Sequence, residues 1–103
     1  MGILSSLFGN KKEKIKDFQS RDAIIIDVRT TSEYEQSAIP GSKNMPLQTL
    51  NANIENIKKL NKPVITCCAS GVRSATAASL LKSHGVEALN GGGFMSLYKK
   101  LEL

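Results

Sequence analysis

Two short runs of apolar, mostly β-branched residues constrain the fold of this chain more than any other feature. The first is Ala-Ile-Ile-Ile-Asp at residues 23–27, and the second is Pro-Val-Ile-Thr-Cys at residues 63–67. Continuous apolar runs of this length are typical of strands that are covered on both faces, as in a parallel sheet. Residues 86–90, Val-Glu-Ala-Leu-Asn, are a third and weaker strand candidate.

Helical patterns alternate with these strands. Residues 47–60 carry Leu and Ile side chains at three- and four-residue spacing, which predicts an amphipathic helix. Further helices are predicted at residues 11–19, 31–36, 72–84 and 94–102, and the three glycines at 91–93 predict a loop. This alternation predicts an α/β domain with a mostly parallel sheet of four to five strands, flanked by helices.

The length of 103 residues predicts one domain, residues 1–103, with its core at about residues 11–101. The segment before residue 11 is a weak candidate for a fifth strand. Its apolar residues are expected to pack onto the domain as a short helix, with docking on a partner or a membrane as the alternative. They are Ile3, Leu4, Leu7 and Phe8.

The balance of charges bears on the partners of the chain. It has 14 Lys and Arg against 9 Asp and Glu, a net charge of +5, but the basic residues are spread along the sequence. Proteins that bind nucleic acids usually concentrate positive charge and interleave aromatic residues, which make up only 5% of this chain. No apolar run approaches the ~20 residues that cross a bilayer. We therefore expect no nucleic-acid partner, no membrane span and a cytoplasmic location.

The chain has two cysteines, Cys67 and Cys68, and one histidine, His84. This set holds no Cys-x-x-Cys pair and no histidine cluster, so it predicts no metal site, and we expect no cofactor. Alternation along a strand predicts that Cys67 points into packing and that Cys68 opens the following loop. His84 ends the predicted helix on the order of 20 Å from Cys68, so it is not expected to activate the thiol.

The segment Cys-Ala-Ser-Gly-Val-Arg-Ser at residues 68–74 carries the chemistry that the sequence predicts. Its thiol lies between the carboxyl end of a strand and the start of a helix, where ligands bind in open α/β sheets. The backbone N–H groups of such a loop cradle an anion, and the same field lowers the pKa of a thiol. Gly71 permits a positive φ, and Arg73 adds a cation that steers an anionic substrate.

Several short motifs occur in order along the chain. They are Ile26-Asp27-Val28-Arg29, Glu33-Tyr34, Ile39-Pro40-Gly41, Asn44-Met45-Pro46-Leu47, the segment 68–74 and Gly92-Gly93. In these motifs, over about residues 23–97, the chain resembles the rhodanese-like (sulfurtransferase) family in its single-domain form. Phosphatases and arsenate reductases with the same kind of cradle use Cys-x5-Arg. The shorter Cys68-x4-Arg73 spacing is similar to that of sulfurtransferases, and phosphatase activity is not expected.

The resemblance implies that Cys68 is the catalytic nucleophile and carries a persulfide while a sulfane sulfur is transferred. The sulfur comes from a small anionic donor, such as thiosulfate or a polysulfide, or from a persulfide. A thiol or cyanide accepts it. The resemblance also implies that the loop residues Ala69, Ser70, Gly71, Val72 and Arg73 bind the substrate. Asp27, Arg29 and Ser74 are expected to support the site.

Three functions from different classes stay open at this point. The first is a sulfurtransferase enzyme, and the second is a sulfur carrier that accepts persulfide from a partner protein without free turnover. The third is a rhodanese-like module that only binds a partner. Ala69 and Ser70 leave Arg73 as the only charged side chain of the loop, which keeps polysulfides and protein persulfides open as donors. The presence of Cys68 favours chemistry over binding alone.

Overall fold

The fold is built around a parallel β-sheet. The computed structural model describes residues 10–103, and in this part of the chain it has four strands and five helices. They are α1 (Lys11–Ser20), β1 (Ile24–Asp27), α2 (Thr31–Gln36), β2 (Lys43–Asn44), α3 (Leu47–Leu60), β3 (Val64–Cys68), α4 (Val72–Ser83), β4 (Ala88–Gly93) and α5 (Phe94–Lys100). The strand order is β2-β1-β3-β4, and every neighbouring pair is parallel. The predicted α/β class, with its mostly parallel sheet, is confirmed.

Helices cover both faces of this sheet, which explains the continuous apolar runs of the central strands. On one face α3 and α4 bury residues such as Leu50 and Leu81, which have no exposed surface. On the other face α1 and α5 bury Ile15 and Leu97 in the same way. The strand β3 is buried at all five of its positions and lies between β1 and β4, so its carboxyl end is in the interior of the sheet edge.

Two helix starts position side chains at this edge. The helix α2 begins with a capping box, in which Thr30 Oγ1 accepts the N–H of Glu33 and the Glu33 carboxylate accepts the N–H of Thr30. The helix α4 begins after Gly71, whose φ of 102° is a left-handed conformation that favours glycine. The chain therefore turns from β3 into α4 within the residues 69–71.

The prediction of a loop at the glycines 91–93 is wrong, because these residues form the end of β4. Their pairing with β3 passes through an irregularity between Thr66 and Cys68, beyond which Gly93 pairs with Cys68. A Cβ atom at Gly91 would lie 2.8 Å from the backbone oxygen of Thr66, so a side chain does not fit there. Glycines that serve close packing within a strand give the same sequence signal as a flexible turn.

Other boundaries differ from the predicted ones by one or two residues. The last strand begins at Ala88 rather than at residue 86, and Cys68 ends β3 rather than opening the loop. The two-residue strand β2 has no apolar run of its own that could predict it. The predicted N-terminal helix around Ile3 and Phe8 lies outside the described residues. None of the helices within residues 10–103 is long and apolar enough to span a membrane.

Candidate active site at the carboxyl end of the sheet

The two adjacent cysteines lie on opposite faces of the sheet at the carboxyl end of β3. Cys67 belongs to the core beneath α1 and α5, whereas Cys68 lies on the side of α3 and α4. Both are free thiols, and Cys68 is only 1% exposed. His84 is the exposed C-cap of α4, at the other end of that helix from the cysteines. The predictions for the orientation of Cys67 and the position of His84 are confirmed.

The Cys68 sulfur receives hydrogen bonds from the turn that follows it. The backbone N–H groups of Gly71 and Ser74 donate to Sγ at 3.0 Å and 3.3 Å, and the Ser74 hydroxyl oxygen lies 3.3 Å away. Burial alone raises the pKa of a thiol. Here the hydroxyl and backbone donors of Ser74, with the N–H groups of Gly71 and Ser70, outweigh burial and lower the pKa of Cys68.

The pKa of the neighbouring thiol, Cys67, is shifted in the opposite direction. Burial, reinforced by the nearby Asp27 carboxylate, raises the pKa of Cys67 to about 12. A thiolate is the nucleophilic form of cysteine, whereas a protonated thiol in an apolar core is inert. Of the two cysteines, Cys68 is therefore the one placed for nucleophilic chemistry.

Asn90 braces this arrangement from β4, and sequence reasoning missed it. Its Oδ1 accepts the Ser74 hydroxyl at 2.6 Å and the N–H of Gly92 at 2.9 Å, while its Nδ2 donates to the carbonyl of Gly71 at 3.1 Å. The Ser74 hydroxyl has one hydrogen and two acceptors, Asn90 Oδ1 and the Cys68 sulfur. While it donates to Asn90 it can accept from a Cys68 thiol, and it donates to a Cys68 thiolate when its hydrogen turns from Asn90 to the sulfur. The available sequence signal was a polar residue at the end of a strand candidate.

Arg73 does not extend freely from the loop. Its Nη1 and Nη2 donate to Oε1 and Oε2 of Glu33 at 2.8 Å and 3.1 Å, which joins α4 to α2. Both side chains are about one-third exposed. Hydrogen bonds from Arg73, and then from the Thr30 N–H, lower the pKa of Glu33 to about 2, so the carboxylate is ionised at physiological pH. No motif or spacing in the sequence indicates this pairing.

The expected supporting residues Asp27 and Arg29 form a buried ion pair behind the site. Arg29 Nη2 donates to Asp27 Oδ2 at 2.8 Å, and the two side chains are 5% and 0% exposed. The Arg29 guanidinium also donates to the carbonyl of Ser37 at 2.7 Å and lies 3.8 Å from the centre of the Phe94 ring. The pair therefore ties the end of β1 to the segment after α2 and to α5, and it makes no contact with the Cys68 sulfur.

The remaining loop residues differ in exposure. Ala69 and Ser70 are exposed, Val72 is 72% exposed and Gly71 is half-buried. The main chain of the turn lies directly on the glycines of β4, since a Cβ atom at Gly93 would be 2.8 Å from the Ala69 oxygen. The cradle around Cys68 is consequently built from backbone groups packed on backbone and from the buried Ser74 hydroxyl, with the side chains of residues 69, 70 and 72 turned toward solvent.

Comparison with known proteins connects this geometry to a family. The family model of the Rhodanese-like domain matches residues 10–99, which include β3, the turn and α4. The chain belongs to the rhodanese-like family. A solved structure of a rhodanese-like domain protein from Staphylococcus aureus superimposes with a TM-score of 0.70 at 35% sequence identity, covering 85% of this chain and 86% of that one.

Curated relatives of this rhodanese-like chain carry sulfurtransferase names. A tRNA sulfurtransferase of Thermoplasma acidophilum is 36% identical over 81 residues, which make up 79% of this chain and 16% of that protein. The thiosulfate sulfurtransferase GlpE of Pseudoalteromonas translucida is 36% identical over 69 residues, covering 64% of this chain and 62% of that protein. The chain thus spans less than two thirds of the length of these relatives.

The rhodanese-like turn gives a prediction about the thiol. Replacing Gly71 by Ala is expected to shift the titration of Cys68 to higher pH, because the strained backbone withdraws N–H donors while burial remains. A Cβ atom at Gly71 would also lie 3.3 Å from Gly92 Cα. A hydrogen bond to a charged group contributes about 1.5–3 kcal/mol, so the pH midpoint of alkylation is expected to rise by about one unit or more. Thiolate ultraviolet absorbance and alkylation rates measure both effects.

The matched control is Gly85→Ala at the other end of α4. Gly85 has a similar φ of 85°, and a Cβ atom there meets nothing within 4 Å. This variant is expected to carry comparable backbone strain without moving the titration of Cys68. An unchanged midpoint in Gly71→Ala, with the fold intact by circular dichroism, would show that the turn does not hold the thiolate.

Proposed function

We propose that this chain is a sulfurtransferase that carries a sulfane sulfur as a persulfide on Cys68. The observation that carries the proposal is the convergence of hydrogen-bond donors on the Cys68 sulfur, which lowers the pKa of this thiol although it is buried. Membership of a family whose relatives are named sulfurtransferases supports the same chemistry.

The first half-reaction loads the sulfur. The Cys68 thiolate attacks the outer sulfur of a donor, the sulfur–sulfur bond of the donor breaks, and its electron pair leaves with sulfite or with a thiolate. The product is a Cys68 persulfide, whose terminal sulfur carries the negative charge. Thiosulfate, a polysulfide or a protein persulfide fits this step, because each offers an electrophilic outer sulfur and a stable leaving group.

The second half-reaction transfers the sulfur from Cys68 to an acceptor. An acceptor thiolate or cyanide attacks the terminal sulfur, and the bond to Cys68 breaks to restore the thiolate. The N–H groups of Gly71 and Ser74 that already face Cys68 Sγ stabilise the returning charge. Val72 and Arg73 are the first residues of α4, so their backbone N–H groups have no partner within the helix. We assign these N–H groups, with those of Ala69 and Ser70, to binding the terminal sulfur of the persulfide.

The test is intact mass spectrometry of the reduced protein after brief incubation with thiosulfate or with polysulfide. The expected result is a gain of one sulfur atom that cyanide removes as thiocyanate. Repeated turnover identifies an enzyme, whereas loading without more than one transfer per chain identifies the carrier alternative. No gain of mass with either donor would contradict the proposal and favour a module that only binds a partner.

A further inference from the structure

The charge of Arg73 is already matched by a carboxylate. Its two terminal nitrogens each face one oxygen of Glu33, which is the bidentate geometry that a carboxylate or another planar anion requires. An anionic donor that used Arg73 as a clamp would have to displace Glu33 from this position. The pair therefore presents almost no net charge to an approaching substrate.

Glu33 is held independently of Arg73. Oε1 accepts the backbone N–H of Thr30 at 2.9 Å and the Thr30 hydroxyl at 3.1 Å, as part of the capping box that starts α2. The carboxylate also lies at the N-terminal end of that helix, where negative charge is favoured. Contacts from two sides therefore hold the ionised carboxylate beside Arg73.

A depression beside Arg73 has no other charged side chain in its lining. The turn residues 69–72 are uncharged, and the depression, of about 200 Å³, is lined by Val28, Thr30, Pro46, Leu47 and Gln48 together with Arg73. Lys11 approaches the opposite side of the turn, with Nζ 3.7 Å from where a Cβ atom of Gly92 would lie. Within the depression a dianion meets no second cation, whereas a donor with an uncharged body matches the uncharged lining.

We propose that Glu33 sets the class of sulfur donor. By holding Arg73 in an ion pair, it makes the site favour persulfides, which carry at most one negative charge, over dianions such as thiosulfate. This inference rests on the proposed function, because it concerns the donor that loads Cys68. In the favoured step the Cys68 thiolate attacks the outer sulfur of R–S–SH, the S–S bond breaks, and R–S⁻ leaves and takes up the proton.

The experiment compares two donors by their rate constants for loading Cys68, followed by rapid quench and intact mass at low ionic strength. The donors are thiosulfate and the persulfide of N-acetylcysteinamide, whose body is uncharged. In Glu33→Gln, the ratio of the thiosulfate to the persulfide rate constant is expected to rise about fivefold, as for the release of a partly exposed ion pair. Glutamine is compatible with the capping box, so α2 keeps its start.

The matched control is Glu35→Gln on the same helix. Glu35 is exposed, and its replacement removes the same charge without touching Arg73. Its donor ratio is expected to stay within about twofold of the original. An equal rise in both variants would assign the effect to overall charge and overturn the proposal.

A second variant tests whether Arg73 is neutralised by Glu33 or binds thiosulfate directly. In the double variant Glu33→Gln with Arg73→Gln, both charges are lost, and the donor ratio is expected to return to near that of the original chain. A ratio far below it would mean that Arg73 binds thiosulfate despite Glu33, and would overturn the proposal. If persulfide still loads Cys68 in Glu33→Gln and the donor ratio is unchanged, the proposal is also overturned. Failure of both donors to load the original chain would instead contradict the proposed function itself.

Discussion

Replacing Cys68 by Ser is expected to abolish both the added sulfur atom and transfer to cyanide. The replacement keeps the shape of the side chain but removes the only thiol that the turn stabilises as a thiolate. A serine hydroxyl has no comparable ionised form near neutral pH, and among residues 10–103 no base side chain contacts position 68 to activate it. Intact mass after incubation with donor, together with the rate of thiocyanate formation, measures the loss.

Cys67→Ser is the matched control, one residue away on the opposite face of the sheet. Cys67 lies in the core, and its thiol stays protonated over the working range of pH because burial raises its pKa to about 12. This variant is expected to gain one sulfur atom as the original chain does. Loss of loading in Cys67→Ser alone would keep the family but contradict the assignment of the nucleophile.

Replacing Asp27 by Ala is expected to lower the free energy of unfolding by about 3–5 kcal/mol, the usual cost of breaking one partner out of a buried ion pair. The Asp27 carboxylate accepts Nε, Nη2 and the backbone N–H of Arg29, so its removal leaves a buried guanidinium without its counter-charge. Domains are stable by only about 5–15 kcal/mol, so this is a large share of the total. Urea denaturation followed by circular dichroism gives the value.

The exposed pair between Lys62 and Asp22 provides the comparison for this loss. Lys62 Nζ lies 2.6 Å from the Asp22 carboxylate, but the two side chains are 43% and 82% exposed. Exposed pairs contribute at most about 1 kcal/mol, so Lys62→Gln is expected to change stability little. A similarly small loss in Asp27→Ala would mean that water reaches Arg29. Removing both charges, in Asp27→Ala with Arg29→Met, is expected to recover part of the loss.

Those parts of the fold that depend on local patterns were predictable from the sequence. The runs at 23–27 and 63–67 predicted strands because they are apolar on both sides, and both strands lie in the interior of the sheet. The spacing of Leu and Ile at 47–60 predicted α3 with its bounds. The glycines at 91–93 were misassigned because close packing of Gly91 on Thr66 and of Gly93 on Ala69, rather than a turn, requires glycine there.

The parts of the site that depend on distant pairs were not predictable. Glu33 and Arg73 are 40 residues apart, and Ser74 and Asn90 are 16 apart, so no periodicity or short motif connects them. They meet because α2 and α4 begin, and β4 ends, at one edge of the sheet, and the packing of the helices determines this arrangement. The segment 68–74 was predictable because its chemistry is contained in consecutive residues.

The main-chain origin of the cradle has a consequence for how such a site changes over generations. The groups that face Cys68 include the amides of Gly71 and Ser74, while the side chains of Ala69, Ser70 and Val72 are turned outward. Substitutions at these outward positions change the exposed surface around the site without changing the amides that hold the sulfur. In a scaffold of this kind, mutations at the outward positions can change which molecules bind beside the thiol while the reactive centre is preserved.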